Sequence, residues 1–359
     1  MRWLRRQLDE ICCPTLDWVQ IEVTTHCNAS CIYCPHTVMK DRWANMHMPL
    51  ELFCKLTPFL RNTKMIYLQG WGEPLLCEDI FRMIRICKDQ GKVVGFTTNG
   101  MLLTEETILK LIDLEVDILG VSLAGTTATT HNKIRKGTDF DTVISSLKLL
   151  HRIKLENRRE RPAVHLAYLM LKLNFHELNG IVSLAKGMGA KQIVAGNLNL
   201  ILNPKLCTEA IFNDREHAEQ YRATLEKIKD RAANENIIFH YHGPNLNDAS
   251  MRCSENVHCA CVINVEGEIS PCVFTTQTLC KDPELSKGQS THYIFEGQLF
   301  PLEVLSFGNI RDESLTRIWK KRDYTRVRDL FDPEGVVKTE QIMSEMPRCC
   351  VKCYKRLGA

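Results

Sequence analysis

From residue 18 the chain alternates short apolar runs with helical patterns six times, and this alternation limits the fold more than any other feature. Residues 18–23, 65–68, 93–98, 117–123, 163–171 and 192–195 read as strands. Residues 49–60, 79–90, 104–114, 139–153, 175–187 and 214–233 read as helices. Pro49 suits a first helical turn, Thr104 an N-cap, and Asn213 with Glu216 a capping-box start. Strand–helix alternation implies a parallel sheet with right-handed crossovers, helices covering its apolar strands. Six units fit either an incomplete barrel or a doubly wound sheet. In both, the loops after the strands' C-terminal ends carry the chemistry.

After Gly243 the character changes, and a domain boundary is expected near residue 236. His240–Asp248 reads as a connecting loop. Beyond it the sequence is Cys-rich, with short strands over 261–265 and 268–271 and one helix over 315–330. The expected domains are therefore 1–235, a strand–helix core, and 236–359, a small Cys-rich unit. A formal net charge of +3 in 359 residues gives no sign of a nucleic-acid partner. No apolar stretch is long enough to span a bilayer, and the N-terminus lacks a signal-peptide pattern. A cytoplasmic location, with reduced thiols, is expected.

Against that expectation 17 cysteines are many. Six are scattered (12, 13, 54, 77, 87, 207) and read as small buried hydrophobes. Three fall in one short segment, Thr25-His26-Cys27-Asn28-Ala29-Ser30-Cys31-Ile32-Tyr33-Cys34-Pro35, directly after the first strand. Three thiolates in a loop can converge on one soft metal centre. With three protein ligands, a four-iron cube keeps one iron open to a further molecule. Zinc is the alternative, with His26 or His36 as fourth ligand.

Cys27-x3-Cys31-x-Tyr33-Cys34 after a first strand resembles the signature of the radical S-adenosylmethionine (radical SAM) superfamily. The resemblance implies a partial (β/α)6 TIM-like barrel, a [4Fe–4S] cluster on Cys27, Cys31 and Cys34, and S-adenosylmethionine (SAM) on its open iron. Gly70-Trp71-Gly72-Glu73-Pro74 resembles the family's GGEP motif at the edge that receives SAM's amino group. Its glycines permit close backbone approach, although an ordinary turn would use them too. Thr97-Thr98-Asn99-Gly100 resembles the TNG edge. Val121–Gly125 with His131–Gly137 resembles the SLDG…HDxIRG stretch. By that likeness Tyr33 takes the aromatic position and Ser122 contacts ribose or carboxylate. Arg135 would meet the SAM carboxylate with its guanidinium fork. Ala124 stands where the family often has Asp. Asn197 and Asn199, after the sixth strand, could reach the adenine.

Eight cysteines lie beyond residue 250. Cys253-x13-Gly267-x4-Cys272, the Gly308-Asn309, Glu313–Leu315 and Ile318-Trp319 segments, and Cys349-Cys350-Val351-Lys352-Cys353 resemble the SPASM or Twitch auxiliary-cluster domain. The likeness implies at least one auxiliary [4Fe–4S] cluster, on Cys253, Cys272, Cys350 and Cys353, and leaves open a second on the remaining cysteines. Cys259, at a spacing seen in some relatives, and Cys261 are rivals. A four-thiolate zinc ribbon is the alternative.

The resemblance further implies an enzyme that cleaves SAM reductively and abstracts a substrate hydrogen. An external donor such as flavodoxin or ferredoxin would supply electrons. Two substrates fit: a peptide or protein that is oxidised or cross-linked, or a small molecule that is dehydrogenated. Only about 17 residues precede the first strand, which weighs against a leader-peptide-binding domain. A non-catalytic electron carrier or zinc scaffold would leave the SAM-site motifs unexplained. No residue stands out as general acid or base.

Overall fold

A computed structural model describes residues 13–246, 253–276, 292–332 and 344–358. Cys12 and Cys280 lie outside them. Seven parallel strands stand side by side in chain order: β1 Leu16–Ile21, β2 Thr63–Tyr67, β3 Val93–Thr98, β4 Ile118–Leu123, β5 Ala163–Met170, β6 Gln192–Asn197 and β7 Ile238–Tyr241. The main crossover helices are α1 Leu50–Leu56, α2 Ile80–Asp89, α3 Glu105–Asp113, α4 Phe140–Glu156, α5 Ile181–Gly187 and α6 Ala218–Asn234. A strand order that never reverses distinguishes the incomplete barrel from a doubly wound sheet, which needs a switch point. Among the described residues no helix is long and apolar enough to cross a membrane.

Burial follows the periods expected. β5 alternates half-buried and buried positions along its whole length. α4 buries Val143, Ile144, Leu147, Leu150 and Ile153 on one stripe. Thr104 caps α3 by accepting from the Thr107 N–H.

Several local expectations change. A seventh parallel strand, β7, begins just beyond residue 235 and pairs with β6, where the sequence suggested the start of a loop. Only Phe239 of its four residues is buried, so no periodic signal marks it. Asn213 caps nothing: its amide donates to the Cys207 carbonyl, and α6 begins at Ala218 with His217 before it. Cys54 is exposed, because α1 turns Leu52, Phe53 and Leu56 inward instead. The helix expected over 315–330 is two, α7 Leu315–Trp319 and α8 Arg322–Asp329.

The Cys-rich segment continues the same sheet. β8 Ala260–Ile263 pairs parallel with β1, and β9 Ile269–Ser270 folds back antiparallel on β8. Gly267 makes this turn at φ 91°, where a Cβ would meet Ile310 at 2.7 Å. A separate hairpin joins β10 His292–Phe295 to β11 Gln298–Pro301.

Glu22, just past β1, ties the two parts together. Its carboxylate accepts the Trp71 N–H at 2.9 Å and the Val265 N–H at 3.3 Å. A Cβ on Gly70 would lie 2.2 Å from Glu22 Cγ, so glycine is required there. Burial raises this carboxyl from its usual 4.5 to about 7. The folded chain then keeps a proton that the unfolded chain releases, so stability falls as pH rises from about 4.5 to about 7. Glu22→Gln should flatten that slope. Relative to wild type, the variant should gain on the order of 3 kcal/mol across the window. Denaturant titrations at a series of pH values measure it; parallel curves for the two proteins would refute it.

Candidate functional site

The Cys27–Cys34 loop leaves the C-terminal edge of β1 and is pinned on all sides. Thr25 Oγ1 donates to the Ala44 carbonyl at 2.6 Å and accepts the Met46 N–H at 2.8 Å. The Trp43 indole donates to the Thr25 carbonyl at 3.0 Å. Ser30 N–H donates to the Lys136 carbonyl at 2.6 Å and Ile32 N–H to that of Ile134 at 3.0 Å. Asn28 Oδ1 accepts from Asn99 Nδ2 at 2.7 Å, which joins this loop to the end of β3. Cys31 is buried, and Cys27 and Cys34 are half-buried.

Glu73 organises the neighbouring edge. Its carboxylate accepts from Thr98 Oγ1 at 2.6 Å, from the Asn99 N–H at 2.7 Å and from the Leu75 N–H at 3.3 Å. Pro74 opens the short turn that Glu73 caps. Glu73 N–H donates to the His26 carbonyl at 2.8 Å. A Cβ on Gly72 would lie 2.4 Å from the Thr24 carbonyl oxygen, so the two loops meet only because this residue has no side chain. Glu73 thus spends its oxygens on the protein, joining the GWGEP and TNG edges.

Ser122 lies half-buried on β4 opposite Ala167. The loop after β4 is clamped by Glu177, which accepts the Thr126 N–H at 2.6 Å, the Thr127 N–H at 3.1 Å and Thr127 Oγ1 at 2.7 Å. A short helix, Ala128–Ile134, follows and ends at Arg135. Arg135 is buried and donates to the Tyr33 hydroxyl. Its Nε has no hydrogen-bond partner among the described residues. Asn197 donates to the Gly243 carbonyl at 3.1 Å, while its buried Oδ1 also lacks a partner among them.

The second thiol group lines a small pocket of about 40 Å³. Cys253, Cys272, Cys350 and Cys353 meet there, joined by Cys349. Cys259 and Cys261 are not among the lining residues. Cys261 lies buried on β8, influenced by Arg328, and Cys259 lies near Asp17 and Asp332. Trp71 connects this cavity to the first loop. Its indole N–H donates to the Val273 carbonyl at 3.1 Å, and its ring stacks on Phe274 with centroids 6.1 Å apart.

The donor sets fit iron–sulfur clusters chemically. Burial pushes the Cys27 thiol to about 11 and the Cys34 and Cys253 thiols to about 12. Left to themselves these sulfurs stay protonated, and a metal centre supplies the positive charge that makes them thiolates. A four-iron cube takes its thiolates at separate corners. The unpartnered Arg135 Nε and Asn197 Oδ1 suit a polar ligand beside the first loop, Arg135 as donor and Asn197 as acceptor.

The sequence reading missed Glu22, Asn28, Cys349, Glu177 and the pair Glu255 and Lys355, described below. Glu22 alone left a trace, as a charge in an apolar strand end five residues before Cys27.

Residues 21–185 match the family model of the radical SAM superfamily, and 253–354 match that of the SPASM iron–sulfur cluster-binding domain. The chain is 26% identical over 316 residues to the tungsten-containing aldehyde ferredoxin oxidoreductase cofactor-modifying protein of Pyrococcus furiosus, covering 86% of this chain and 82% of the relative. It is 28% identical over 347 residues to the AdoMet-dependent heme synthase of Methanosarcina barkeri, covering 94% and 91%. It is 24% identical over 281 residues to the mycofactocin maturase MftC of Mycolicibacterium smegmatis, covering 75% and 66%. The crystal structure of Streptococcus suis SuiB bound to S-adenosylmethionine shares the fold, with a TM-score of 0.63 at 14% identity over 97% of this chain and 72% of that one.

Removing the Glu73 carboxylate strands the Thr98 hydroxyl and the Asn99 N–H, both buried. Glu73→Ala should cost about 2–4 kcal/mol in denaturant titration. It should also weaken SAM binding at least tenfold by equilibrium dialysis. Unchanged SAM affinity at reduced stability would show that this bridge does not shape the cofactor edge.

Proposed function

The chain belongs to the radical SAM superfamily and carries a C-terminal SPASM domain, and from that premise we propose that it oxidises a substrate C–H bond within a peptide or protein. Its cofactors are SAM, the [4Fe–4S] cluster that binds it, and auxiliary iron–sulfur. The observation that carries the reading is the union of the two thiol groups at one end of the sheet, linked through Trp71 and Phe274.

Held by Cys27, Cys31 and Cys34, a reduced cluster would supply the electron for reductive cleavage of SAM, the chemistry that leads to hydrogen abstraction. The protein's part is to hold and to exclude. Cys27, Cys31 and Cys34 hold the first cluster, on a loop whose hydrogen bonds fix it beforehand. The Gly70–Pro74 and Thr98–Asn99 edges, braced by Glu73, receive the methionine end of SAM. Arg135 offers its unpartnered Nε to the carboxylate, and the Tyr33 hydroxyl holds that guanidinium in place. Ser122 stands for the ribose and Asn197 for the adenine. Cys253, Cys272, Cys350 and Cys353 hold the auxiliary cluster, with Cys349 beside them as a fifth thiol. The apolar packing of Ile32, Tyr33, Trp71, Leu198 and Leu200 excludes water from the space above the barrel.

The peptide reading draws support from the name of the mycofactocin maturase and from SuiB, which has also been crystallised with its precursor peptide SuiA. A small-molecule substrate is the second reading, favoured by the nearly full-length likeness to the heme synthase.

Anaerobic reconstitution with iron and sulfide should load about eight iron atoms per chain, as two four-iron clusters. Reduction with SAM should then release 5′-deoxyadenosine. Replacing Cys27, Cys31 and Cys34 by alanine should abolish that release and remove about half of the iron. SAM cleavage that survives the triple replacement, or a wild type that binds zinc in place of iron, would overturn the proposal. Mass spectrometry after turnover separates the two substrate classes by which compound, a candidate peptide or a candidate metabolite, loses two hydrogens.

A further inference from the structure

We propose that Lys355 and Glu255, paired in the wall of the second thiol cavity, each tune the reduction potential of the auxiliary cluster, their charges acting in opposite directions. The proposal rests on reading the five-thiol cavity as that cluster's site.

The pair belongs to the cavity wall. Lys355 Nζ bonds Glu255 Oε1, with side chains only 14% and 12% exposed. Both residues line the cavity with Cys253, Cys272, Cys349, Cys350 and Cys353. The ammonium also lies 4.1 Å from the centroid of Phe274, the ring on which Trp71 stacks. Lys352 and Arg356 add positive charge to the wall, and Arg356 Nε is buried without a partner among the described residues.

A four-iron cluster on four thiolates is an anion that gains one further negative charge on reduction. Net charge, hydrogen bonding and solvent exposure set its potential. In an enclosed site of low effective dielectric, a fixed charge a few ångströms away is screened far less than at the surface. The cation therefore favours the reduced cluster and the carboxylate the oxidised one. Stability alone is a weak reason for a buried pair, since a well-packed apolar pair often does as well. A pair aimed at a redox centre has a different use: its net effect is a small difference that either partner can tilt.

The test is a redox titration of the reconstituted full-length protein followed by electron paramagnetic resonance. The signal to follow is the cluster signal that added SAM leaves unchanged. Lys355→Met should shift the reduction equilibrium about tenfold toward the oxidised cluster, which is about 59 mV for a one-electron couple. Glu255→Gln should shift it by a similar factor the other way. Lys355→Arg should stay near wild type, and the double replacement should return toward it. Two single variants that move together, or that do not move, would overturn the proposal. If Lys355→Met takes up no auxiliary cluster, Glu255→Gln decides alone: a rise supports the assignment, and no change or a fall refutes it. A wild type with iron for only one cluster would instead bring down the reading of the cavity itself, and this assignment with it.

Discussion

A carboxylate buried where the first strand ends holds together three segments that are far apart in sequence. Glu22 accepts backbone N–H groups from the loop after β2 and from the turn between β8 and β9. The first of those loops carries the glycines and Glu73 of the cofactor edge. The second opens the segment that carries Cys272. Burying such a group is costly, and the rise of its pKa to about 7 records the cost. What the molecule gains is a common anchor: the loop of Cys27, Cys31 and Cys34 and the turn that leads to Cys272 both meet the end of β1.

The strands and helices of the core were legible because each obeys a period. β5 alternates cleanly and α4 repeats every three to four residues. β7 was not legible, since one buried residue in four makes no pattern; its pairing with β6 is what marks it as a strand. Asn213 and Glu216 spelled a cap that the chain does not use, because Asp214 is instead engaged by Lys172, His217 and Tyr221. Tertiary partners overrode a local signal.

The site divides along the same line. The spacing of Cys27, Cys31 and Cys34 was readable because a short loop alone brings the thiols together. Arg135 and Glu73 were readable only through family likeness. The links between motifs lay outside the reach of sequence: Asn28 with Asn99, Glu177 with Thr126, Thr127 and Thr130, Lys355 with Glu255. Each joins residues at least 47 positions apart, so no local pattern could announce it.

The parallel pairing of β8 with β1 has one more effect. The hairpin of the Cys-rich segment occupies the margin of the barrel sheet, so the N-terminal part has no finished border of its own. Excised at residue 246, it would bare a row of unsatisfied amides and carbonyls along β1. Such a row invites strands from other molecules. The cluster-bearing tail therefore also works as a seal against self-association, a duty it would keep even if its iron were lost.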